Sequence, residues 1–195
     1  MRFLLAMLAL GGFAGAVNAA ESVWQIDASH SSVQFAVRHL MVSTVRGHFG
    51  KIQGVARIDD TDITKSSVEA VIEASTIDTR DEKRDAHLRD TDFLDVSKYP
   101  TIQFKSTSVR PVDETHFKVR GDLTLHGVTR PVMLDVEGSS KPILDPFGKI
   151  RLGGVARTTI DRADFGISYG KAMDSGGLVV GKEIEITIDV ELTKQ

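Results

Sequence analysis

Apolar and polar residues alternate without exception over residues 183–192, near the C-terminal end of the chain. Successive side chains of a β-strand point to opposite faces, so a period of two predicts a strand with one buried face and one solvated face. Shorter runs of the same kind recur from residue 33 onwards, and together they predict about eight strands joined mostly by short turns. A single apolar face on each strand is typical of antiparallel sheets.

About eight antiparallel strands could form a closed barrel or a two-sheet sandwich. A barrel leaves no exposed edge strand, and the strands show no second run of outward apolar residues. Several inward positions carry residues that are too small to fill a core: Gly54, Ala56, Ala70, Ala74, Gly121, Gly154 and Ala156. These residues favour a barrel whose interior holds a ligand, although tight packing or barrel corners would also use them. We therefore predict an all-β fold, an eight-stranded antiparallel barrel.

One segment, about residues 81–95, replaces the alternation with a helical pattern. Asp81 is a suitable N-cap, because its carboxylate can accept a hydrogen bond from the first turn. Pro100 requires the helix to end before it. The residues predicted to form the apolar stripe have helical spacing: Ala86, His87, Phe93 and Leu94. The sequence therefore predicts one helical segment packed across the barrel.

The first twenty residues have the pattern of a secretory signal peptide. Arg2 precedes an apolar run that is too short for a membrane span, and Ala19 and Ala20 offer a cleavage site. Residues 1–20 are thus predicted to be removed, leaving a single domain of residues 21–195 in the periplasm. Without Arg2 the formal charge changes from -3 to -4, with 23 basic and 27 acidic residues. This small acidic excess argues against nucleic-acid binding. The absence of cysteine excludes thiol catalysis and cysteine-bound zinc.

Two histidines are predicted to face each other across the first hairpin. If its tip lies around residues 42–45, His39 is opposite His48 on the inner face. Such a pair could bind a metal with a carboxylate as third ligand, or donate hydrogen bonds to the polar end of a ligand. It could also be a pair of hydrated histidines at the barrel rim. The residues alone leave these three alternatives open.

Other motifs are less specific. Asp161-Arg162-x-Asp164 is interpreted as a turn in which Arg162 pairs with a carboxylate. His87 lies on the predicted helix, from which it could point into the barrel. No glycine-rich phosphate loop, nucleophile elbow or H-E-x-x-H zinc motif occurs in the sequence.

Five motifs together resemble the YceI-like, polyisoprenoid-binding family, and the resemblance extends over residues 21–195. They occur in the family's order: Val37-Arg38-His39-Leu40 with Arg46-Gly47-x-Phe49; Ala86-His87-Leu88-Arg89 through Asp92-Phe93-Leu94-Asp95; Tyr99-Pro100-Thr101-Ile102-x-Phe104; Gly121-Asp122-Leu123-Thr124-Leu125-His126-Gly127-Val128; and Asp161-Arg162-x-Asp164-Phe165-Gly166. The resemblance implies an extended lipocalin-like barrel, often periplasmic. Its lumen would hold a long isoprenoid, such as that of a polyprenyl diphosphate or a ubiquinone.

On this basis we expect a periplasmic carrier of an isoprenoid lipid, not an enzyme, with no cofactor apart from a bound isoprenoid or isoprenoid quinone. Seven inward residues are expected to contact the tail: Phe35, Val37, Phe49, Ile72, Phe104, Leu123 and Ile186. Five polar residues are expected near the head group: Arg38, His39, Arg46, His48 and His87. Arg38 or Arg46 would pair with a diphosphate. Further expected partners are a membrane electron-transfer or lipid-handling protein and a second copy of the chain in a homodimer.

Two alternative functions remain at this stage. One is an enzyme acting on a lipid or quinone through His39 and His48, together with Asp90 or Asp92. The other is a stress-protective secreted domain without a defined ligand. No catalytic residue is carried over from the family.

Overall fold

The computed structural model describes residues 21–138, 141–170, 172–173 and 176–195. The predicted signal peptide, residues 1–20, lies outside the described residues. The twelve strands in these ranges are β1 (Glu21–Ile26), β2 (Ser32–His39), β3 (Ser43–Phe49), β4 (Ile52–Asp59), β5 (Ser67–Glu73), β6 (Ile77–Asp78), β7 (Thr101–Pro111), β8 (His116–Leu125), β9 (Val128–Gly138), β10 (Ile143–Leu144), β11 (Ile150–Asp161) and β12 (Val180–Lys194). They are accompanied by one α-helix, α1 (Glu82–Arg89), and by 3-10 turns at Ile63–Lys65, Ala74–Thr76 and Arg162–Phe165.

Eight of the strands close into an antiparallel barrel, as predicted. Hydrogen bonds join them in the order β11, β9, β8, β7, β5, β4, β1 and β12, and β12 pairs back onto β11. The hairpin of β2 and β3 continues from β12, the two-residue strand β6 follows β3, and β10 continues from β11. The all-β barrel with one helix is therefore confirmed, with four further strands attached to it.

Strand β12 closes the barrel. It is 15 residues long, and one of its edges pairs with β11 from Glu183 to Thr193. Its other edge pairs first with β2 and then with β1, where Lys194 is opposite Trp24. The amide of Gln195 donates to the carbonyl of Val23 at 2.9 Å. The described beginning and the end of the chain are thus neighbours in the sheet.

The helix is shorter than predicted. Asp81 caps it as expected, since its carboxylate accepts from the amide of Arg84 at 3.0 Å. Asp90 is already in an extended conformation, so the helix ends at Arg89 instead of near residue 95. The predicted apolar stripe is divided accordingly, because Ala86 and His87 are exposed on the helix. Phe93 and Leu94 are buried, but they follow the helix and pack against the barrel from the turns after it.

Polar contacts hold α1 on the barrel. The buried carboxylate of Asp85 accepts hydrogen bonds from both the amide and the hydroxyl of Thr79. Arg89 donates to the carbonyls of Ser75 and Ile77 at 2.8 and 2.7 Å. Since α1 buries little apolar surface of its own, its position depends on these bonds more than on an amphipathic face.

Arg151 links three acidic residues near the other end of the barrel. It donates to Asp145 at 2.6 Å, to Asp27 at 2.8 Å and to Glu191. Hydrogen bonds from Arg151 are the main reason why the pKa values of Asp27 and Asp145 are lowered. The cluster joins the start of β11 to β12 and to the residue after β1.

Acid should therefore weaken the fold. A carboxyl group with a pKa lowered by folding adds stability above its unfolded pKa, and this contribution is lost as the pH falls through the folded pKa. We expect the free energy of unfolding, measured in urea, to decline below about pH 4. Replacement of Arg151 by methionine should lower the free energy of unfolding at pH 7, because it removes the cation that pairs with three carboxylates, and should make the acid decline shallower.

Arg157 provides a matched control for this prediction. It pairs with Glu137 at 3.7 Å, and both side chains are more than half exposed. Arg157→Met should therefore change the free energy of unfolding by less than about 0.5 kcal/mol, both at pH 7 and in acid. Equal losses in the two variants would contradict a special role for the Arg151 cluster.

Candidate functional site

The barrel encloses an elongated cavity of about 810 Å³. This volume lies in the upper part of the range of small-molecule sites, about 300–1,000 Å³. Its wall is formed mainly by the inward apolar residues of the barrel strands, including Ile184, Ile186, Ile188, Val190 and Leu192 of β12. Such a wall offers few hydrogen bonds and suits an apolar molecule.

All seven residues predicted to contact a ligand tail line this cavity. They are Phe35, Val37, Phe49, Ile72, Phe104, Leu123 and Ile186. They come from six different strands, because the alternation places every second residue of each strand inward. Their position on the wall is established, and their contact with a ligand stays a prediction.

The small inward residues have two different roles. Four of them line the cavity: Ala56, Ala70, Gly154 and Ala156. A Cβ added at Gly54 would clash with the backbone carbonyl of Glu69, and one added at Gly121 would clash with the ring of Phe104. Both glycines therefore allow a close approach instead of enlarging the cavity, and that part of the expectation is wrong. Ala74 is buried in the core at the end that α1 covers.

The two ends of the cavity differ in chemistry. We call the end near α1 the closed end, because Phe93, Leu94, Phe165 and Ile167 are buried across it. We call the opposite end the acidic rim, where Asp59 at the end of β4, Asp60 after it and Glu114 between β7 and β8 line the cavity. A long molecule in the cavity would therefore have chemically different surroundings at its two ends.

The predicted pairing of His39 with His48 is wrong. The hairpin turns over residues 40–42, so His39 is opposite Ser43 and His48 is opposite Gln34. This register places His48 on the outer face, because a shift by an odd number of residues exchanges the faces. A metal site or an acid–base pair built on these two histidines has no geometric basis.

None of the five predicted head-group residues lines the cavity. Arg38 is exposed and donates to Thr44 Oγ1 and to the carbonyl of Met41. Arg46 and His48 are exposed, and His39 is half-buried. His87 lies outside the closed end, where its Nε2 is 2.9 Å from Asp92 and its ring contacts Phe93 and Tyr169. Their head-group role stays a prediction that the cavity geometry does not support.

Arg162 lines the cavity at the closed end and was not predicted there. The sequence suggested an ion pair with Asp161 or Asp164, but Asp161 instead accepts from the amide of Ala163 at 2.8 Å. Arg162 is only 5 % exposed, and within the described residues its side chain forms no hydrogen bond or salt bridge with a carboxylate. It continues the inward alternation of Ile160, and this parity was the signal that could have located it.

Burial lowers the pKa of the Arg162 guanidinium. The group is held by three backbone carbonyls: Nε donates to Gly181 at 2.9 Å, Nη1 to Ile167 at 2.7 Å and Nη2 to Val180 at 3.1 Å. Among the cavity-lining residues that the structure describes, it is the one cationic side chain. It therefore gives the closed end a positive charge surrounded by apolar wall.

A possible metal-binding group lies outside the cavity. Asp27, His30 and Glu191 place ligand atoms within 4.8 Å of one another. Arg151 already donates to Asp27 and Glu191, so a protein cation occupies the position next to these carboxylates and offsets part of their charge. We assign no metal site to it.

The segment next to the acidic rim, residues 141–150, exposes large apolar side chains. Phe147 is 88 % exposed and Leu144 is 71 % exposed.

Within the ranges that the structure describes, no helix has the length and apolar character needed to cross a bilayer.

Sequence comparisons identify relatives of this chain. A family model described as a YceI-like domain matches residues 24–192. A UPF0312 protein of Vibrio cholerae is 39% identical over 154 residues, which cover 78% of this chain and 80% of the relative. A UPF0312 protein of Staphylococcus aureus is 36% identical over 169 residues, which cover 86% of this chain and 95% of the relative.

Solved structures share the fold. A YceI protein of Campylobacter jejuni is 26% identical, with a TM-score of 0.69 over 81% of this chain and 90% of its own. BcnA of Burkholderia cenocepacia is 21% identical, with a TM-score of 0.72 over 85% of this chain and 98% of its own. A domain of Saccharophagus degradans described as polyisoprenoid binding is 17% identical, with a TM-score of 0.61 over 88% of this chain and 98% of its own. The last two show likeness of fold alone.

Proposed function

The chain belongs to the YceI-like family, and on that premise we propose that its barrel binds one long-chain isoprenoid lipid in the central cavity. The observation that carries the proposal is the apolar cavity of about 810 Å³. Each methylene group moved from water into such a cavity contributes about 0.8 kcal/mol. A long chain can therefore be held mainly by burial of its surface.

We further propose that the protein carries or sequesters this lipid in the periplasm. The proposal for the compartment rests on the predicted signal peptide, with cleavage near Ala19 and Ala20. Sheathing a poorly soluble chain would keep it from aggregating in the aqueous space between membranes. This proposal includes a membrane electron-transfer or lipid-handling protein that supplies the lipid. It also includes a homodimer of the chain.

The proposal is directly testable by native mass spectrometry of protein purified from its own source. We expect a complex with a mass increment of one isoprenoid or isoprenoid quinone per chain, and recovery of the same lipid by solvent extraction. Protein that is lipid-free on purification, and that takes up no isoprenoid from a detergent solution, would contradict the proposal.

The structure does not bring together the residues on which the enzymatic alternative depended. His39 and His48 lie on opposite faces of the hairpin, and Asp92 is paired with His87 outside the cavity. Nothing in the part of the chain that the structure describes specifically favours catalysis or a ligand-free protective role, and we propose neither.

A further inference from the structure

We infer that Arg162 binds an oxygen of the ligand at the closed end, so that the lipid lies with its polar end innermost and its tail towards the acidic rim. This inference rests on the proposed lipid-binding function and names the chemistry of the polar end: a single carbonyl or carboxylate oxygen. It goes beyond the predicted head-group residues, none of which lines the cavity.

The hydrogen bonds of Arg162 leave donors free for a ligand. A guanidinium has five N–H groups, and three of them donate to the carbonyls of Gly181, Ile167 and Val180. Two N–H groups therefore have no acceptor among the described residues. Because Arg162 is only 5 % exposed, water outside the protein cannot freely satisfy them.

The Arg162 guanidinium also forms no salt bridge within the described residues, and the carboxylate of Asp161 offsets its charge only in part and without direct contact. Asp161 and Asp164 do not bind the Arg162 side chain. A buried cation is costly unless it is paired or strongly hydrogen-bonded. A ligand oxygen at this position would supply the missing acceptor, and a carboxylate would also form the direct ion pair that Asp161 does not form.

The same arrangement disfavours a diphosphate at either end of the cavity. A diphosphate carries more than one negative charge, and among the described lining residues only Arg162 is cationic. At the opposite end, Asp59, Asp60 and Glu114 would repel it. The geometry thus selects a polar end that is neutral or carries one negative charge.

The test compares four probes with the same branched isoprenoid carbon skeleton: geranylgeranoic acid, its methyl ester, geranylgeranyl diphosphate and the saturated hydrocarbon phytane. The single tryptophan, Trp24, lines the cavity and reports binding by its fluorescence. We expect the acid or the ester to bind the wild-type protein about 10- to 100-fold more tightly than phytane, which is the range for a hydrogen bond to a charged group. The diphosphate should bind less tightly than the acid.

Arg162→Met should lower the affinity for the acid and ester to that for phytane, and leave phytane within about twofold. Arg130→Met is the matched control, because the exposed Arg130 donates to the carbonyl of Asp164 in the same turn without lining the cavity. It should leave all four affinities unchanged. A larger loss for the acid than for the ester would identify a carboxylate ligand, and equal losses a neutral carbonyl.

The two proposals fail in different ways. If wild-type protein binds none of the probes, lipid binding itself is contradicted. If it binds acid, ester and phytane equally, and Arg162→Met changes none of them, only the role of Arg162 is contradicted.

A second experiment needs no variant, in case Arg162→Met does not fold. The acid is labelled with a diazirine at the far end of its tail, bound to wild-type protein and photolysed. We expect crosslinks at the acidic rim, in residues 59–67 and 111–117. Crosslinks to Phe93, Leu94 or Ile167 at the closed end would overturn the proposed orientation.

Discussion

Replacing Ala156 by phenylalanine is expected to abolish the binding of a long isoprenoid chain while the barrel remains folded. Ala156 lies within the cavity wall, opposite Ile188 of β12 and Val136 of β9. A phenyl ring at this position would project into the space that the chain must traverse. We expect the affinity for geranylgeranoic acid to fall at least tenfold, about 1.4 kcal/mol, as measured by Trp24 fluorescence and native mass spectrometry.

The control for this variant is the next residue of the same strand. Arg157 points outward, so Arg157→Phe adds the same ring on the opposite face. It should leave the affinity within about twofold, since its packing does not reach the cavity. Ala156→Phe can itself destabilise the barrel by about 1–3 kcal/mol through overpacking, so urea unfolding of each variant is measured in parallel. Undiminished binding in a folded Ala156→Phe variant would place the ligand elsewhere.

The largest loss of stability is expected from Phe165→Ala. Phe165 is 2 % exposed and packs in the core at the closed end, within the 3-10 turn that follows β11. Removing a buried phenylalanine side chain costs about 3–5 kcal/mol. For a chain of this size we expect a fall of roughly 10 °C in Tm by calorimetry.

Phe147→Ala makes the same chemical change on the surface. Phe147 is 88 % exposed near the acidic rim, so its truncation should alter stability by less than about 0.5 kcal/mol. If both variants lose a similar amount of free energy of unfolding, the packing of Phe165 at the closed end does not make the expected contribution to stability.

Alternation predicted the architecture and the cavity wall because it reports directly on burial. Every second residue of β12 from Ile184 to Leu192 lines the cavity, and no competing period was present in that segment. Phe35 and Phe104 were placed inward correctly for the same reason. The side of a strand that is buried carries its apolar residues, so the buried face can be predicted from the sequence of that strand alone.

The register of strand pairing and the position of the first hairpin turn could not be predicted from alternation. The first hairpin turns at Leu40 and Met41, which have φ values of 50° and 57°. Leucine and methionine carry no signal for a left-handed backbone, so the turn was placed too late and His48 was assigned to the wrong face. Arg162 was misread for a different reason. Its two flanking carboxylates suggested a surface ion pair, whereas the strand parity that directs it inward was not applied beyond Ile160.

The pairing of β12 with β1 has a consequence for biogenesis. Because β12 follows all the other barrel strands in the chain and pairs with both β1 and β11, the cylinder cannot close before β12 has been synthesised. A molecule held in the cavity would therefore enter after β12 has emerged, or be enclosed when β12 pairs with its two neighbours.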